Sequence, residues 1–200
     1  EVIREAGRRR DADLPPGEGD VWYTPMETGR PMDKAYRRMV AGQGGTWMAD
    51  SPAATARILD DLRHAGAIDA IAGHFGERPY FSLQKSTLRH SPPVHNFAGW
   101  HQDGSFLGPE VRAMNVWVAL SACGGDHLAP ALEIVPRRVE TLLDTDGGLG
   151  SASISDARVL EAAGATPPIT PEFLPGDALL FDERLVHRTH LFPEMTEDRY

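Results

Sequence analysis

The stretch "FAGWHQDGSFLG", residues 97–108, sets His101 and Asp103 two positions apart. In extended chain, residues i and i+2 share a face, so both side chains aim at one point while Gln102 points away. An imidazole nitrogen and a carboxylate oxygen on one side suit a divalent metal. The pair alone says little, because with eight histidines in the chain a His-x-Asp arises by accident about as often as not. A third ligand must come from another segment, and the downstream candidates are His127, His187 and His190. His187 is the strongest. It follows "FLPGDALLFDERLVH", where Pro175-Gly176-Asp177 turns the chain into an apolar strand, Ala178 to Phe181, and a second short strand delivers the histidine. His127, in "CGGDHLAP", and His190, placed beyond the strand, read as loop residues, and His64 and His74 as surface or helix-end residues.

The elements that must position these groups change character along the chain. Residues 1–50 are polar, with Arg8-Arg9-Arg10 and Pro15-Pro16, and read as an irregular arm or substrate lid with a short helix near Met32–Val40. "DSPAATARILDDLRHAGAIDAIAGHFG" offers Ser51 as N-cap, Pro52 at the first helical position and apolar residues at helical spacing. Two helices follow over 51–76, one ending near Gly66 and one running from Ile68 to His74 before Gly76. After Pro79 the period becomes two. "YFSLQKSTLRH", "VRAMNVWVALSA", "ALEIVP" and "DALLFDERLVH" read as strands, separated by turns at Gly124-Gly125, Gly147-Gly148 and Pro175-Gly176. Helices first and strands afterwards predict an α+β chain, mainly β at its core, built as an antiparallel sandwich or barrel.

At 200 residues, with 41% hydrophobic side chains, the chain is long enough for one sizeable core, and a single catalytic domain is expected. Its net charge of -9 repels phosphate backbones and anionic lipid, so neither nucleic acid nor membrane is an expected partner. Composition is silent on oligomeric state. The one cysteine, Cys123, allows no intrachain disulfide, and no apolar run suits a signal peptide or a membrane span; a cytoplasmic protein is the expectation. The chain starts at Glu1 without methionine and stops at Tyr200 within a segment, so missing ends are expected too.

Together, "WHQDG", "NVWVALSACGGDHLAPALEIVP", "PGDALLFDERLVHRT" and the terminal "EDRY" resemble the phytanoyl-CoA dioxygenase family of Fe(II)- and 2-oxoglutarate-dependent oxygenases. The match spans roughly Tyr80 to Tyr200, and its weight comes from four motifs in the right order. The resemblance implies a double-stranded β-helix (jelly roll, cupin-like) over 80–200, truncated at its C-terminal end, with the N-terminal helices packed on it. It implies that His101, Asp103 and His187 form the facial triad of two histidines and one carboxylate, which leaves open sites for a bidentate 2-oxo acid and for O2. It further implies Arg199 as the cation for the distal carboxylate of 2-oxoglutarate. Thr189, in phase with His187, resembles the hydroxyl residue that assists this arginine, whereas Arg188 points to the opposite face. Gln84 resembles a polar contact to the same co-substrate, with Lys85 as the fallback, and Trp117 stands where relatives have a tryptophan, serving either the core or the co-substrate.

The implied reaction consumes 2-oxoglutarate and O2, releases succinate and CO2, and hydroxylates an unactivated C–H bond of a small-molecule substrate. The protein's share is to position that bond and exclude water. Asp103 disfavours halogenation, since the related halogenases put a small residue there. Desaturation or ring formation by the same oxidant stays open, as does a cupin-like metalloenzyme without 2-oxoglutarate, or a binding module that has lost catalysis. Phe106, Met114 and Trp47 are candidate pocket residues, and a natural-product or amino-acid-derived intermediate is the preferred substrate class.

Overall fold

The computed structural model describes residues 45–48, 52–83, 85–93, 99–108, 110–146 and 152–200. Most of the expected arm, the helix at 32–40, Ser51, Gln84 and the Gly147-Gly148 turn lie outside the described residues. The chain divides into two compact units, Glu1–His90 and Ser91–Tyr200.

In the first unit a short strand β1 (Gly45–Trp47) pairs antiparallel with β2 (Thr87–Arg89), in a register running from Gly45 opposite Arg89 to Trp47 opposite Thr87. Between them come helices α1 (Pro52–His64) and α2 (Ala67–Phe75). The break between the helices is the glycine expected from the sequence. Gly66 has φ 75°, a left-handed conformation that ends α1 at little cost for a residue without Cβ, and Gly76 ends α2 in the same way with φ 70°. Ala54, Thr55 and Ile71 turn inward with Met48, and the Thr55 hydroxyl donates to the Met48 carbonyl at 2.6 Å. His64 and His74 are exposed at the helix ends.

The long strand expected over 80–90 shrinks to β2, three residues long. Tyr80, Phe81 and Leu83 are exposed. The backbone N–H of Lys85 and the Ser86 hydroxyl both donate to the Ser82 carbonyl, local bonds that compete with extended pairing.

The second unit is built on two antiparallel ladders. Strand β3 (Met114–Val118) pairs with β5 (Ala178–Asp182), and β4 (Ala131–Ile134) pairs with β6 (His187–His190). Single bridges, Trp100 to Ile154, His101 to His187, Cys123 to Phe173 and Ile134 to Ile169, tie the connecting segments to them. Residues directly opposite one another share a face. Thus Asn115 with Phe181 and Trp117 with Leu179 line one face of the first ladder. Leu132 with Thr189 and Ile134 with His187 line one face of the second. The ladders meet where the rings of Phe181 and His187 pack at 4.9 Å.

One buried cluster gathers Ala119, Cys123, Ala129, Ala131, Leu132, Ile134 and Phe173, with Trp117 and Leu179 packed on it. A second gathers Trp100, Val135, Ile154 and Val186 with Val159 and Ala163. The last two belong to α4 (Asp156–Ala163), a helix the sequence reading did not anticipate. Its signals are present: Ser155 in extended conformation at the N-cap, Asp156 in the first turn, Val159 and Ala163 on one buried face, and Gly164 at the end. A four-residue helical turn, α3 (Gly104–Leu107), follows Asp103 directly.

Candidate metal centre

The backbone brings the predicted ligands together. His101 is bridged to His187, each N–H donating to the other's carbonyl at 3.0 Å, so the start of β6 lies beside the His-x-Asp segment. The ligand atoms of His101, Asp103 and His187 lie within 4.8 Å of one another, a group of three that could hold a metal ion.

The orientation of each side chain follows from its second hydrogen bond. His101 Nδ1 lies 2.9 Å from the Gly99 carbonyl and His187 Nδ1 lies 3.0 Å from the Leu185 carbonyl. A carbonyl only accepts, so each Nδ1 donates, which leaves Nε2 as the ring atom that can offer a lone pair to the centre. Asp103 is held similarly: Asn115 Nδ2 donates to Oδ2 at 2.6 Å, and Oδ1 faces the two imidazoles, 3.6 Å from His101 Nε2 and 3.9 Å from His187 Nε2. Those two separations exceed hydrogen-bonding reach, so the atoms point at a common centre rather than at each other. Metal bonds of about 2.1 Å at right angles would draw such donors to roughly 3 Å apart, a contraction of under about 1 Å for each of these two pairs.

The donor set therefore fits a divalent ion of intermediate softness: two imidazoles, one carboxylate, and for each an outer partner that fixes its direction. His187 is buried, whereas His101 and Asp103 are partly exposed, so solvent reaches the group from their side. Phe106 of α3 stands at that side, its ring 5.9 Å from that of His101. Met114 adjoins Asn115 on β3 and so lies on the opposite face, away from Asp103.

Arg199 is buried. Its guanidinium donates to the Ser91 hydroxyl at 3.1 Å and to the Pro130 carbonyl at 3.3 Å, and lies 5.7 Å from the Trp117 ring centroid. Trp117 is two residues beyond Asn115 on the same face of β3, so one strand runs from the Asp103 contact to the arginine. Trp117 also packs on Phe173, at 4.7 Å between rings. Burial pushes the Cys123 thiol above its usual range, and the positive charge of Arg199 pulls it part of the way back. Thr189 lies in phase with His187 on β6 and opposite Leu132 on β4. Arg188 takes the other face, bonded to Glu133 and stacked 4.4 Å from the Trp100 ring. Gln84 lies outside the described residues.

Other readings of single residues change. His190 is the last residue of β6 rather than a loop residue, 3.4 Å from Glu133, while His127 stays in its turn, 3.5 Å from Glu172. Gly104 lets the chain pass close to its neighbours after Asp103; a Cβ there would meet Leu142 Cδ2 at 2.6 Å and the Glu183 carbonyl at 3.2 Å. Two residues escaped the sequence reading. Asn115 has a weak signal, an amide within a strand, where asparagine is depleted. Gln102 looks away from the three candidate ligands but is fully buried, its Nε2 donating to the Arg184 and Thr141 carbonyls while its Oε1 accepts from Leu143 N–H.

The site thus belongs to the class of candidate mononuclear metal centres built from two histidines and a carboxylate. No protein-family model matches the chain, and no curated protein matches it. Among solved structures it is similar in part to the crystal structure of EvdMO1, with 23% identity and a TM-score of 0.36. The overlap covers 56% of this chain and 24% of that one, and at this TM-score defines neither a shared fold nor a shared activity. Among the described residues, no helix is long and apolar enough to cross a membrane.

Proposed function

We propose that this chain is an Fe(II)- and 2-oxoglutarate-dependent oxygenase of the phytanoyl-CoA dioxygenase type, built on a jelly-roll core. The observation that carries the reading is the convergence of His101 Nε2, His187 Nε2 and a single oxygen of Asp103 on a partly open centre. Among the described residues three ligands gather, where a closed structural site would have four; three leave room for a co-substrate and O2.

Bound iron supplies the chemistry that couples loss of CO2 from 2-oxoglutarate to transfer of an oxygen atom from O2 to a C–H bond. The balance is substrate C–H plus 2-oxoglutarate plus O2, giving alcohol, succinate and CO2. The chain's own residues bind and orient. In this reading Arg199 grips the distal carboxylate, with Thr189 beside it and the Trp117 ring shielding the pair from water. Gln84 is a further contact to the co-substrate. Phe106, at the open side, meets a small metabolite, a natural-product or amino-acid-derived intermediate. Desaturation or ring closure would use the same binding groups.

The test is release of CO2 from C1 of 2-oxoglutarate by the purified chain supplied with Fe(II) and air. Release that stops in Asp103→Ala and shows a raised KM for 2-oxoglutarate in Arg199→Ala supports the assignment. Metal binding without consumption of 2-oxoglutarate points instead to a cupin-like metalloenzyme, and rules against the co-substrate.

A further inference from the structure

We propose that the cross-strand pair Asn115–Phe181 is a positioning brace that fixes two of the three ligand side chains, and so sets both the affinity and the coordination geometry of the metal centre. The inference rests on the metal-site reading above.

Asn115 and Phe181 are register partners of the β3–β5 ladder, so their side chains leave the sheet on one face, side by side. Each touches a different ligand. Asn115 Nδ2 holds Asp103 Oδ2 at 2.6 Å, and the Phe181 ring meets the His187 ring at 4.9 Å, edge to face. A carboxylate can only accept, so the Asn115 amide must present its nitrogen, and a bond this short to an anion is of the charge-assisted kind.

That bond occupies one carboxylate oxygen. A free carboxylate turns about its Cβ–Cγ bond and can offer a metal either oxygen or both; binding through both would fill a coordination position that a small ligand needs. With Oδ2 held, only Oδ1 faces the imidazoles, and Asp103 binds through a single oxygen. Phe181 does the corresponding work for His187. The Leu185 carbonyl selects the ring's tautomer, and the buried Phe181 ring blocks its swing away from the centre. Both braces depend on register, because a one-residue slip of β3 against β5 would turn Asn115 or Phe181 to the opposite face. Five consecutive pairs, Met114 opposite Asp182 through Val118 opposite Ala178, hold that register.

The experiment uses Co(II) as probe, with calorimetric binding and the visible d–d spectrum recorded on the wild-type chain, Asn115→Leu, Asn115→Ala and Phe181→Leu. Circular dichroism of each metal-free chain reports the fold separately. Leucine keeps much of the volume of asparagine without a donor, and alanine serves if leucine disturbs the strand. Loss of an outer-shell partner weakens binding by roughly 10–100-fold, so the Asn115 variants should lose Co(II) affinity in that range and change the d–d band while keeping their fold. Phe181→Leu should weaken binding less than either. Folded Asn115 variants that bind within about twofold of wild type, with an unchanged band, overturn the brace alone. A wild-type chain that binds no Co(II) overturns the metal centre and the brace together.

Discussion

His101, Asp103 and His187 were legible because their chemistry is local: period-two geometry aligns the first two, and a turn followed by an apolar strand singles out the third. Their partners were not, because nothing in a single sequence pairs Asn115 with Asp103 twelve residues away, or Gln102 with the Arg184 carbonyl at a separation of 82. Gln102 illustrates the difference. Read as the residue left over between two ligands, it is instead the fastener of its neighbourhood, satisfying the Thr141 and Arg184 carbonyls and the Leu143 N–H from a fully buried position. Gln102→Ala leaves a cavity at a fully buried position and takes the partner from three part-buried groups, at a cost of about 1–3 kcal/mol for each one left unpaired. Urea denaturation of the metal-free variant should therefore show a loss of roughly 3 kcal/mol or more. A loss below about 1 kcal/mol would mean that water replaces the amide.

Elements were legible where a strong period coincides with a stop signal. Helix α2, expected from Ile68 to His74, runs from Ala67 to Phe75 between two left-handed glycines. The alternation of 80–90 promised more strand than β2 delivers, since the pattern marks a face but cannot supply the surface to bury it. Helix α4 was passed over because its buried face is narrow, Val159 and Ala163. Gly124-Gly125 signals a turn in the sequence, but its tightness shows only in three dimensions. Gly124 has φ 74°, and a Cβ there would fall 2.0 Å from the Pro171 carbonyl oxygen, beside the bridge that pairs Cys123 with Phe173. Gly124→Ala therefore combines a left-handed alanine with a backbone clash, and should destabilise by about 3 kcal/mol or more. Thermal unfolding checks this; a variant melting within about 2 °C of wild type would contradict the packing described.

At the scale of the whole molecule, the second unit works as a frame in which each ladder carries one part of the centre. The β4–β6 ladder presents His187 and Thr189, while the β3–β5 ladder presents Asn115, Phe181 and Trp117, with the His-x-Asp segment bridged to β6 between them. That convergence was only half visible in the sequence. Apolar strands and turns announce a β core, but which strand lies against which is decided by pairings between distant segments. The net charge of -9 is a property of the entire surface and leaves the chemistry of the centre to its local groups. The proposed assignment has His101, Asp103 and His187 hold Fe(II) with open positions that 2-oxoglutarate can chelate. It is tested most directly by adding Fe(II) and then 2-oxoglutarate to the protein without oxygen, and recording the visible spectrum. A weak charge-transfer band should appear with wild type only after the second addition, and be missing from folded Asp103→Ala. A wild-type chain that binds Fe(II), keeps its fold and shows no band on addition of 2-oxoglutarate would contradict the account.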